Sequence, residues 1–280
     1  MAGPWAFLLG YNTRMNTSVA VAGATGWTGR AVAEAVLAAD DLDLVAATSR
    51  TAAGQDLGDA WGIGSNGVPV HATVEESLRV GVDVLVDYTS HEVVGDHVRT
   101  AVGAGVGVVV GSSGLTAEAF AEIDEAARAA GVGVIAAGNF SITAAMMQAA
   151  ALLAAAHLPQ REVIDYASAT KADAPSGTAR ELAERLDAVQ PTELARPIAE
   201  TGGMVEARGA SVSGTQVHSL RLPSFSVSTE VVFALPDERL TIRHDARSSA
   251  APYVAGTLLA VRRVSDVVGL IRGLDTLLLG

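Results

Sequence analysis

The segment KADAPSGTA, residues 171–179, combines a cation with the start of a helix. Lys171 is the only lysine in the chain, and Ser176-Gly177-Thr178 follows where a helical pattern begins. A helix N-terminus presents free N–H groups and a positive dipole end, so together with an ammonium group it binds anions. The spacing therefore predicts a site for acidic groups. The alternative is a surface turn that caps the helix, which leaves Lys171 without a role.

A second candidate site is the glycine-rich turn GATGWTG, residues 23–29, directly after the strand-like run VAVA. Glycines at such a turn let the chain bend tightly, let a pyrophosphate approach the backbone, and let the helix pack closely on the strand. The spacing is GxxGxxG rather than the usual GxGxxG, so it is the position after a strand that predicts dinucleotide binding. The alternative is a glycine-rich turn that binds nothing.

The end of the second expected strand bears on which dinucleotide binds. Enzymes that use NAD usually place an acid there, on the ribose hydroxyls, whereas this chain has Thr48, Ser49 and Arg50. A hydroxyl and a guanidinium suit a 2′-phosphate. We therefore expect NADPH as cofactor, with NADH also possible. The alternative for Arg50 is a solvated loop charge.

Two further strand ends are candidates for the nicotinamide end of this site. GSSG (111–114) closes a strand at the edge where open α/β sheets bind ligands, although it also suits a plain turn. Asn139-Phe140-Ser141 is either part of the site or a helix cap. The expected cofactor contacts are Gly23, Thr25, Gly26, Trp27, Thr28, Ser49, Arg50, Tyr88, Thr89, Gly111, Ser112, Ser113, Asn139 and Phe140.

The elements that must position these groups change character along the chain. Up to Asn139, short apolar runs alternate with helical patterns, which is typical of a doubly wound parallel sheet; its strands are expected at 19–23, 42–49, 83–89, 106–113 and 132–139. Beyond Asn139, a long apolar helix and strands of alternating polarity predict an α+β unit with one sheet face covered. A final helix, APYVAGTLLAVRRV, is expected to pack on the first unit.

The composition excludes several classes of protein. Nineteen Lys and Arg against 31 Asp and Glu give a net charge of −12, which argues against nucleic acid or an anionic membrane as partner. The chain has no cysteine and its six histidines lack metal-binding spacing, so we expect no metal. The apolar segment 144–158 predicts a packed helix rather than a membrane span. Residues 1–14 lack a secretion signal's features and are expected to extend a cytoplasmic protein.

The motifs together resemble those of the dihydrodipicolinate (4-hydroxy-tetrahydrodipicolinate) reductase family. The resemblance covers nearly the whole chain after Met15, and KADAPSGTA is its most distinctive part. The matching segments, in the family's order, are GATGWTG, DYTSHEVV, GSSGLTAEAF, GNFSI, KADAPSGTA, RGASVSG with VHSLRL, and LTIRHDA.

The resemblance implies an α/β fold with a Rossmann-like cofactor domain (15–139 with 252–280) and an α+β substrate and oligomerisation domain (140–251). It implies a homotetramer that transfers a hydride from a nicotinamide to a C=N or conjugated C=C bond of a small carboxylated substrate. Lys171, as the catalytic group, would act with Ser176, Gly177 and Thr178 on the substrate carboxylate. Domain closure about hinges near Asn139 and residue 250 would exclude water.

The chain departs from the family pattern where a proton donor is expected. The family's two adjacent histidines correspond to Ala167 and Ser168, a further histidine falls near Ser228, and a glycine is replaced by Thr143. Alanine cannot transfer a proton, and serine without a base is a poor acid. This leaves three readings: the lysine-route reductase with another proton source, a diverged imine reductase or amine dehydrogenase that still binds substrate beside Ala167 and Ser168, or a non-catalytic NADPH-binding regulator.

Overall fold

The computed structural model describes residues 16–225 and 227–280. The expected extension at 1–14 therefore lies outside the described residues. The strands, in chain order, are β1 (Thr17–Ala22), β2 (Leu42–Thr48), β3 (Val70–His71), β4 (Val84–Asp87), β5 (Gly107–Val110), β6 (Gly133–Ala136), β7 (Gln160–Ala167), β8 (Ala210–Val212), β9 (Thr215–Arg221), β10 (Val227–Leu235), β11 (Glu238–Ala246) and β12 (Gly269–Arg272).

The helices begin where a residue can satisfy the free N–H groups of the first turn. Thr116, Ser141 and Ser176 each accept a backbone N–H with the side-chain hydroxyl at such a start. The helices are α1 (Trp27–Leu37), α2 (Leu57–Ala60), α3 (Val74–Leu78), α4 (Val94–Gly103), α5 (Ala117–Ala130), α6 (Ile142–Ala155), α7 (Gly177–Val189), α8 (Ala251–Arg263) and α9 (Leu274–Leu279), with short 3-10 turns at Ile198–Glu200, Val205–Arg208 and Val264–Asp266.

The first sheet is parallel and has seven strands in the order β12-β6-β5-β4-β1-β2-β3. Its strands are short apolar runs because helices cover both faces, which the two core clusters on either side of the sheet show. The predicted doubly wound fold is confirmed. The expectation that α8 ends the chain is wrong, because β12 and α9 follow it. β12 has only four residues and ends in an arginine, too short a pattern to be recognised in the sequence.

The second sheet is mixed, with the order β11-β10-β7-β9-β8. Its central strand β7 runs antiparallel to β10 and parallel to β9. Alternate residues of β7 are buried, because α6 and α7 cover one face with a core that includes Val163, Leu182 and Phe233. The other face carries half-buried residues such as Ile164 and Tyr166. This is the α+β unit expected from the alternating strands.

The apolar segment predicted at 144–158 forms α6, which packs against α7, α9 and β11. Its first turn is capped by Ser141. Within 16–225 and 227–280, no helix combines the length and the hydropathy that crossing a bilayer requires.

Candidate functional site

The glycine-rich turn brings the end of β1 close to the start of α1. Gly23 has a φ of +80°, in the region that favours glycine, and its N–H donates to the Thr48 carbonyl at the end of β2 at 2.9 Å. A Cβ atom at Gly29 would collide with the Gly23 carbonyl oxygen, so helix and strand can approach this closely only with glycine. The turn therefore has the shape that admits a pyrophosphate to the N-terminus of α1.

A cavity of about 580 Å³ opens beside this turn, at the carboxyl ends of β1, β2 and β4. Seven of the predicted cofactor contacts line it: Gly23, Thr25, Gly26, Ser49, Arg50, Tyr88 and Thr89. The strand order reverses between β1 and β4. Open α/β sheets bind dinucleotides in the crevice at such a point. The cavity also has walls that the sequence did not reveal, among them residues 72–75 and His97.

The edge of this cavity at the end of β2 carries the groups expected to select NADPH. The Ser49 hydroxyl lies 2.9 Å from the Thr25 hydroxyl, which ties the end of β2 to the glycine-rich turn. Arg50 is exposed and lines the cavity, so its guanidinium is accessible to a ligand there. Glu75 also borders the cavity, but Arg79 pairs with it at 2.8 Å.

Asp87, at the end of β4, is a buried residue whose carboxylate has several hydrogen-bond partners, and sequence reasoning missed it. Its carboxylate accepts hydrogen bonds from the Thr89 N–H (3.0 Å), the Thr89 hydroxyl (2.7 Å) and the Ser112 hydroxyl (2.6 Å), and His97 Nδ1 lies at 2.7 Å. Burial alone would raise the pKa of Asp87, but the hydrogen bonds from His97, Ser112 and Thr89 lower it below its ordinary value. An ionised Asp87 thus fixes the loops after β4 and β5.

A second cavity, of about 220 Å³, lies between the two sheets. It brings together predicted cofactor and substrate residues from distant parts of the chain, namely Trp27, Thr28, Tyr88, Gly111, Ser113, Asn139, Phe140, Lys171, Ser176, Gly177 and Thr178. Val227, Tyr253, Ala137 and Gly138 complete the lining without having been predicted. The cavity has the location needed for a nicotinamide and a small substrate to meet.

The loop that carries Lys171 also carries the acid that pairs with it. The Lys171 ammonium lies 2.7 Å from Oδ1 of Asp173 and is about one-third exposed. Ser176 caps α7 by accepting the Ala179 N–H, and Gly177 and Thr178, the first two residues of the helix, line the cavity. The ammonium and the helix N-terminus therefore border the same space.

A buried ion pair beneath this loop sets its position. Asp165 on β7 is fully buried, and its Oδ2 accepts the Ser176 N–H at 2.8 Å and a hydrogen bond from Arg221 on β9 at 2.8 Å. Arg221 also donates to the Asp173 carbonyl at 2.8 Å. The pair thus connects the start of α7 to the loop that presents Lys171, a link between three separate segments that no local motif encodes.

Three predicted site residues line neither of these two cavities. Ala167 ends β7 with a fully buried side chain, and the Ser168 hydroxyl lies 3.0 Å from that of Thr170; neither residue lines the cavity. Ser112 faces Asp87 instead. The reason is strand alternation, which points Ala167 into the core of the second sheet. Substrate contact by Ala167 and Ser168 stays a prediction.

The sequence left open whether Asn139 and Ser141 line the site or cap a helix, and the two residues differ in this respect. Ser141 caps α6, and Asn139 lines the cavity while its Oδ1 accepts the Ser141 N–H at 2.8 Å. Farther from the cavity, Thr143 lies 3.1 Å from His244 Nε2, and Ser228 is buried in β10. Burial lowers the pKa of His244, so this imidazole is neutral near pH 7.

The parallel sheet, the glycine-rich crevice and the adjoining cavity lined by Lys171 are the features of an NAD(P)H-dependent oxidoreductase. Family models of dihydrodipicolinate reductase match the chain twice, with the N-terminus model on residues 17–140 and the C-terminus model on residues 140–278. The chain belongs to the dihydrodipicolinate reductase family. The predicted family and enzyme class are confirmed.

Individual relatives agree over almost the full length. The 4-hydroxy-tetrahydrodipicolinate reductase of Synechococcus elongatus is 40% identical over 268 residues, which are 93% of this chain and 98% of the relative. That of Thermosynechococcus vestitus is 38% identical over 267 residues, or 93% and 96%. The dipicolinate-bound dihydrodipicolinate reductase from Paenisporosarcina sp. TG-14 superposes with a TM-score of 0.74 at 30% identity, covering 94% of this chain and 99% of that one.

A more distant neighbour shares the fold alone. The amine dehydrogenase from Mycobacterium smegmatis superposes with a TM-score of 0.63 at 17% identity, covering 91% of this chain and 94% of that one. Its likeness extends across both sheets, so the two-sheet arrangement serves more than one reaction.

Proposed function

We propose that this protein uses NADPH to reduce a C=N or conjugated C=C bond of a small cyclic carboxylated substrate, and that this substrate is 4-hydroxy-tetrahydrodipicolinate. The observation that carries the proposal is the cavity of about 220 Å³ in which Lys171 and the N-terminus of α7 face the strand ends of the dinucleotide crevice. The family supports it, since relatives that share 38–40% of their residues with this chain are named for that reductase activity.

The residues present fit a phosphorylated dinucleotide. The glycine turn is so closely packed that a Cβ atom at Gly23 or Gly29 would collide with backbone, and Ser49 and Arg50 border the crevice where a 2′-phosphate would lie. Bound NADPH supplies the hydride. We expect the nicotinamide end to reach the cavity lined by Gly111, Ser113 and Phe140, next to the substrate loop.

The substrate loop orients the acceptor. Lys171 and the N–H groups of Gly177 and Thr178 bind one carboxylate, which places the reducible bond over the nicotinamide pocket. The proton comes from Lys171 or from a water molecule beside it, because the other titratable groups at the cavity are poor donors. Burial raises the pKa of both Tyr88 and Tyr253, so neither gives up its proton readily.

The decisive experiment follows NADPH oxidation by nicotinamide absorbance with freshly generated 4-hydroxy-tetrahydrodipicolinate, for the unaltered protein, Lys171→Ala and Ser168→His. Ser168 is the better site for a restored histidine, since it is half-buried whereas Ala167 is fully buried and would be overpacked. Turnover that depends on Lys171 is expected. NADPH binding without turnover on this substrate would contradict the proposal.

A diverged imine reductase or amine dehydrogenase is the second candidate, favoured by a specific observation. Trp27, Tyr253 and Val227 give the cavity an apolar wall, and its only charged lining residue among those described is Lys171. Such a wall suits a substrate with one carboxylate and an apolar part. Turnover with cyclic imino acids but not with 4-hydroxy-tetrahydrodipicolinate would favour this candidate, and no turnover on any imine would favour the non-catalytic regulator.

We also propose that the protein is a cytoplasmic homotetramer without membrane or nucleic-acid partners. The second sheet supports assembly, since α6 and α7 cover one face while Ile164 and Tyr166 lie half-buried on the other. Gel filtration with light scattering tests the assembly, and a monomer would contradict it. Cell fractionation tests the location.

A further inference from the structure

Gly138 lies where the chain leaves the first sheet for α6, and α7 binds both of its polar backbone groups. The Gly138 N–H donates to Oε2 of Glu181 at 2.5 Å, and its carbonyl accepts from the Thr178 hydroxyl at 3.0 Å. Thr178 and Glu181 are three positions apart, so they share one face of the helix. A single face of α7 therefore holds the segment that connects the two sheets.

Glycine is what allows this approach. A Cβ atom at Gly138 would lie 2.5 Å from Oε2 of Glu181 and 2.9 Å from the Gly177 carbonyl oxygen. Gly138, Gly177 and Thr178 also line the cavity of about 220 Å³, whereas Glu181 lines a separate small cavity that Gly138 and Gly177 also border. The Glu181 carboxyl group thus supports backbone that borders the substrate without itself reaching the substrate.

The surroundings of Glu181 offer little compensation for a negative charge. The residue is buried, and in the described parts of the chain its Oε1 has no hydrogen-bond partner. The nearest cation, Nη1 of Arg185, is 3.8 Å away and is already bound by Asp275, whose carboxylate receives two hydrogen bonds from the guanidinium at 2.5 and 2.6 Å. The Arg272 guanidinium is bound by Glu184 at 3.0 Å.

This environment favours the neutral form of the Glu181 carboxyl group. Burial raises the pKa of Glu181 above its ordinary value, and the Gly138 hydrogen bond and the charges of Arg185 and Arg272 offset only part of the rise, to which Asp275 adds. A carboxyl group in its neutral form can accept the Gly138 N–H without placing a negative charge near the N-terminus of α7. Such a charge would repel a carboxylate bound there.

We propose that Glu181 is a positioning residue of the active site, which holds the Gly138 backbone against α7 and thereby fixes the carboxylate-binding groups of Gly177 and Thr178 relative to the cofactor domain. The inference rests on the proposed function, because those groups bind a substrate carboxylate only in that function. Its test therefore includes a binding measurement that does not depend on turnover.

The experiment compares Glu181→Ala and Glu181→Gln with Asp187→Asn, a control on the same helix whose charge is not among those that act on Glu181. Dipicolinate affinity is measured by calorimetry on the NADPH-loaded protein, beside kcat, the substrate KM and NADPH affinity. Loss of one hydrogen bond to a buried group predicts a roughly tenfold weaker dipicolinate affinity and higher KM in Glu181→Ala. Its kcat and NADPH affinity should change little. Glu181→Gln should retain binding, since its amide oxygen can accept the same N–H, and Asp187→Asn should bind normally.

The pH dependence adds a readout that a merely structural role would not produce. Dipicolinate affinity of the unaltered protein should fall as rising pH ionises Glu181, and Glu181→Gln should lack that fall. Unchanged affinity in Glu181→Ala, or Glu181→Gln as weak as Glu181→Ala, would overturn the proposal, as would a lower Tm with normal affinity and KM. Dipicolinate binding without turnover would contradict the proposed function only, whereas no binding by the unaltered protein would overturn both.

Discussion

The Tyr88 hydroxyl lies 2.6 Å from the Thr257 hydroxyl, 169 positions later in the chain. Tyr88 borders both cavities, and its ring lies edge-on to Phe140 at a centroid distance of 6.3 Å. A Cβ atom at Gly111 would collide with the same ring. Thr257 lies on helix α8, so this helix supports Tyr88, the residue that lies between the dinucleotide crevice and the substrate cavity.

Replacing Tyr88 by phenylalanine tests this support. The variant loses the hydrogen bond to Thr257, so we expect the free energy of unfolding to fall by about 1 kcal/mol. Denaturant unfolding measures the change. Tyr253→Phe is the matched control, since the described residues make no hydrogen bond with its hydroxyl. Equal losses in the two variants would show that the Thr257 contact contributes nothing.

Lys171→Ala should raise the substrate KM by roughly 10- to 100-fold, since a hydrogen bond to a charged group is lost. NADPH affinity should not change, because the dinucleotide crevice at the ends of β1, β2 and β4 does not include Lys171. Steady-state kinetics and cofactor titration measure the two effects, and Lys171→Arg, which retains the charge, is the control. A normal KM in Lys171→Ala would remove this residue from the site.

Arg50→Ala should weaken NADPH binding by about tenfold or more while leaving NADH binding nearly unchanged, because only NADPH carries the phosphate that a guanidinium pairs with. Fluorescence titration with both cofactors gives the ratio of the NADPH and NADH dissociation constants. Arg263→Ala is a suitable control, since Arg263 is exposed, lies 3.7 Å from Asp266 and does not line the crevice. Parallel losses for the two cofactors would assign Arg50 a general electrostatic role instead.

Asp87 should make the fold acid-sensitive. Its folded-state pKa is lowered, so the stability it contributes is present above its unfolded pKa of about 4 and is lost as pH falls through the folded value. Thermal unfolding of the unaltered protein from pH 7 to pH 3 should show this loss. Asp87→Asn should be destabilised by about 1–3 kcal/mol at pH 7, because it leaves buried donors without their acceptor. The slope between pH 5 and pH 3 should be shallower in the variant, and an unchanged slope would assign the acid sensitivity to other carboxylates.

Much of the fold and site could be predicted because it is encoded locally. Apolar runs separated by helical patterns predicted the parallel sheet, and its helix and strand starts agree within a few residues. KADAPSGTA predicted that Lys171 and Thr178 border one space, since a turn and a helix start bring near neighbours together. In the same way GATGWTG predicted the crevice, because its glycines lie at the turn itself.

The sequence by itself determined the family, the order of the elements and the motifs that we propose to bind anions, because each depends on residues a few positions apart. Contacts between segments that are distant in the chain could be found only in the tertiary structure. Such contacts are those of Asp87 with His97 and Ser112, the support of Gly138 by Glu181 and the addition of β12 to the first sheet, whose partners lie from 10 residues to more than 100 residues apart. The burial of Ala167 depends likewise on β10 and β9 pairing beside it. Periodicity and spacing carry no signal for such contacts, since any of several segments with the same local pattern could have packed there.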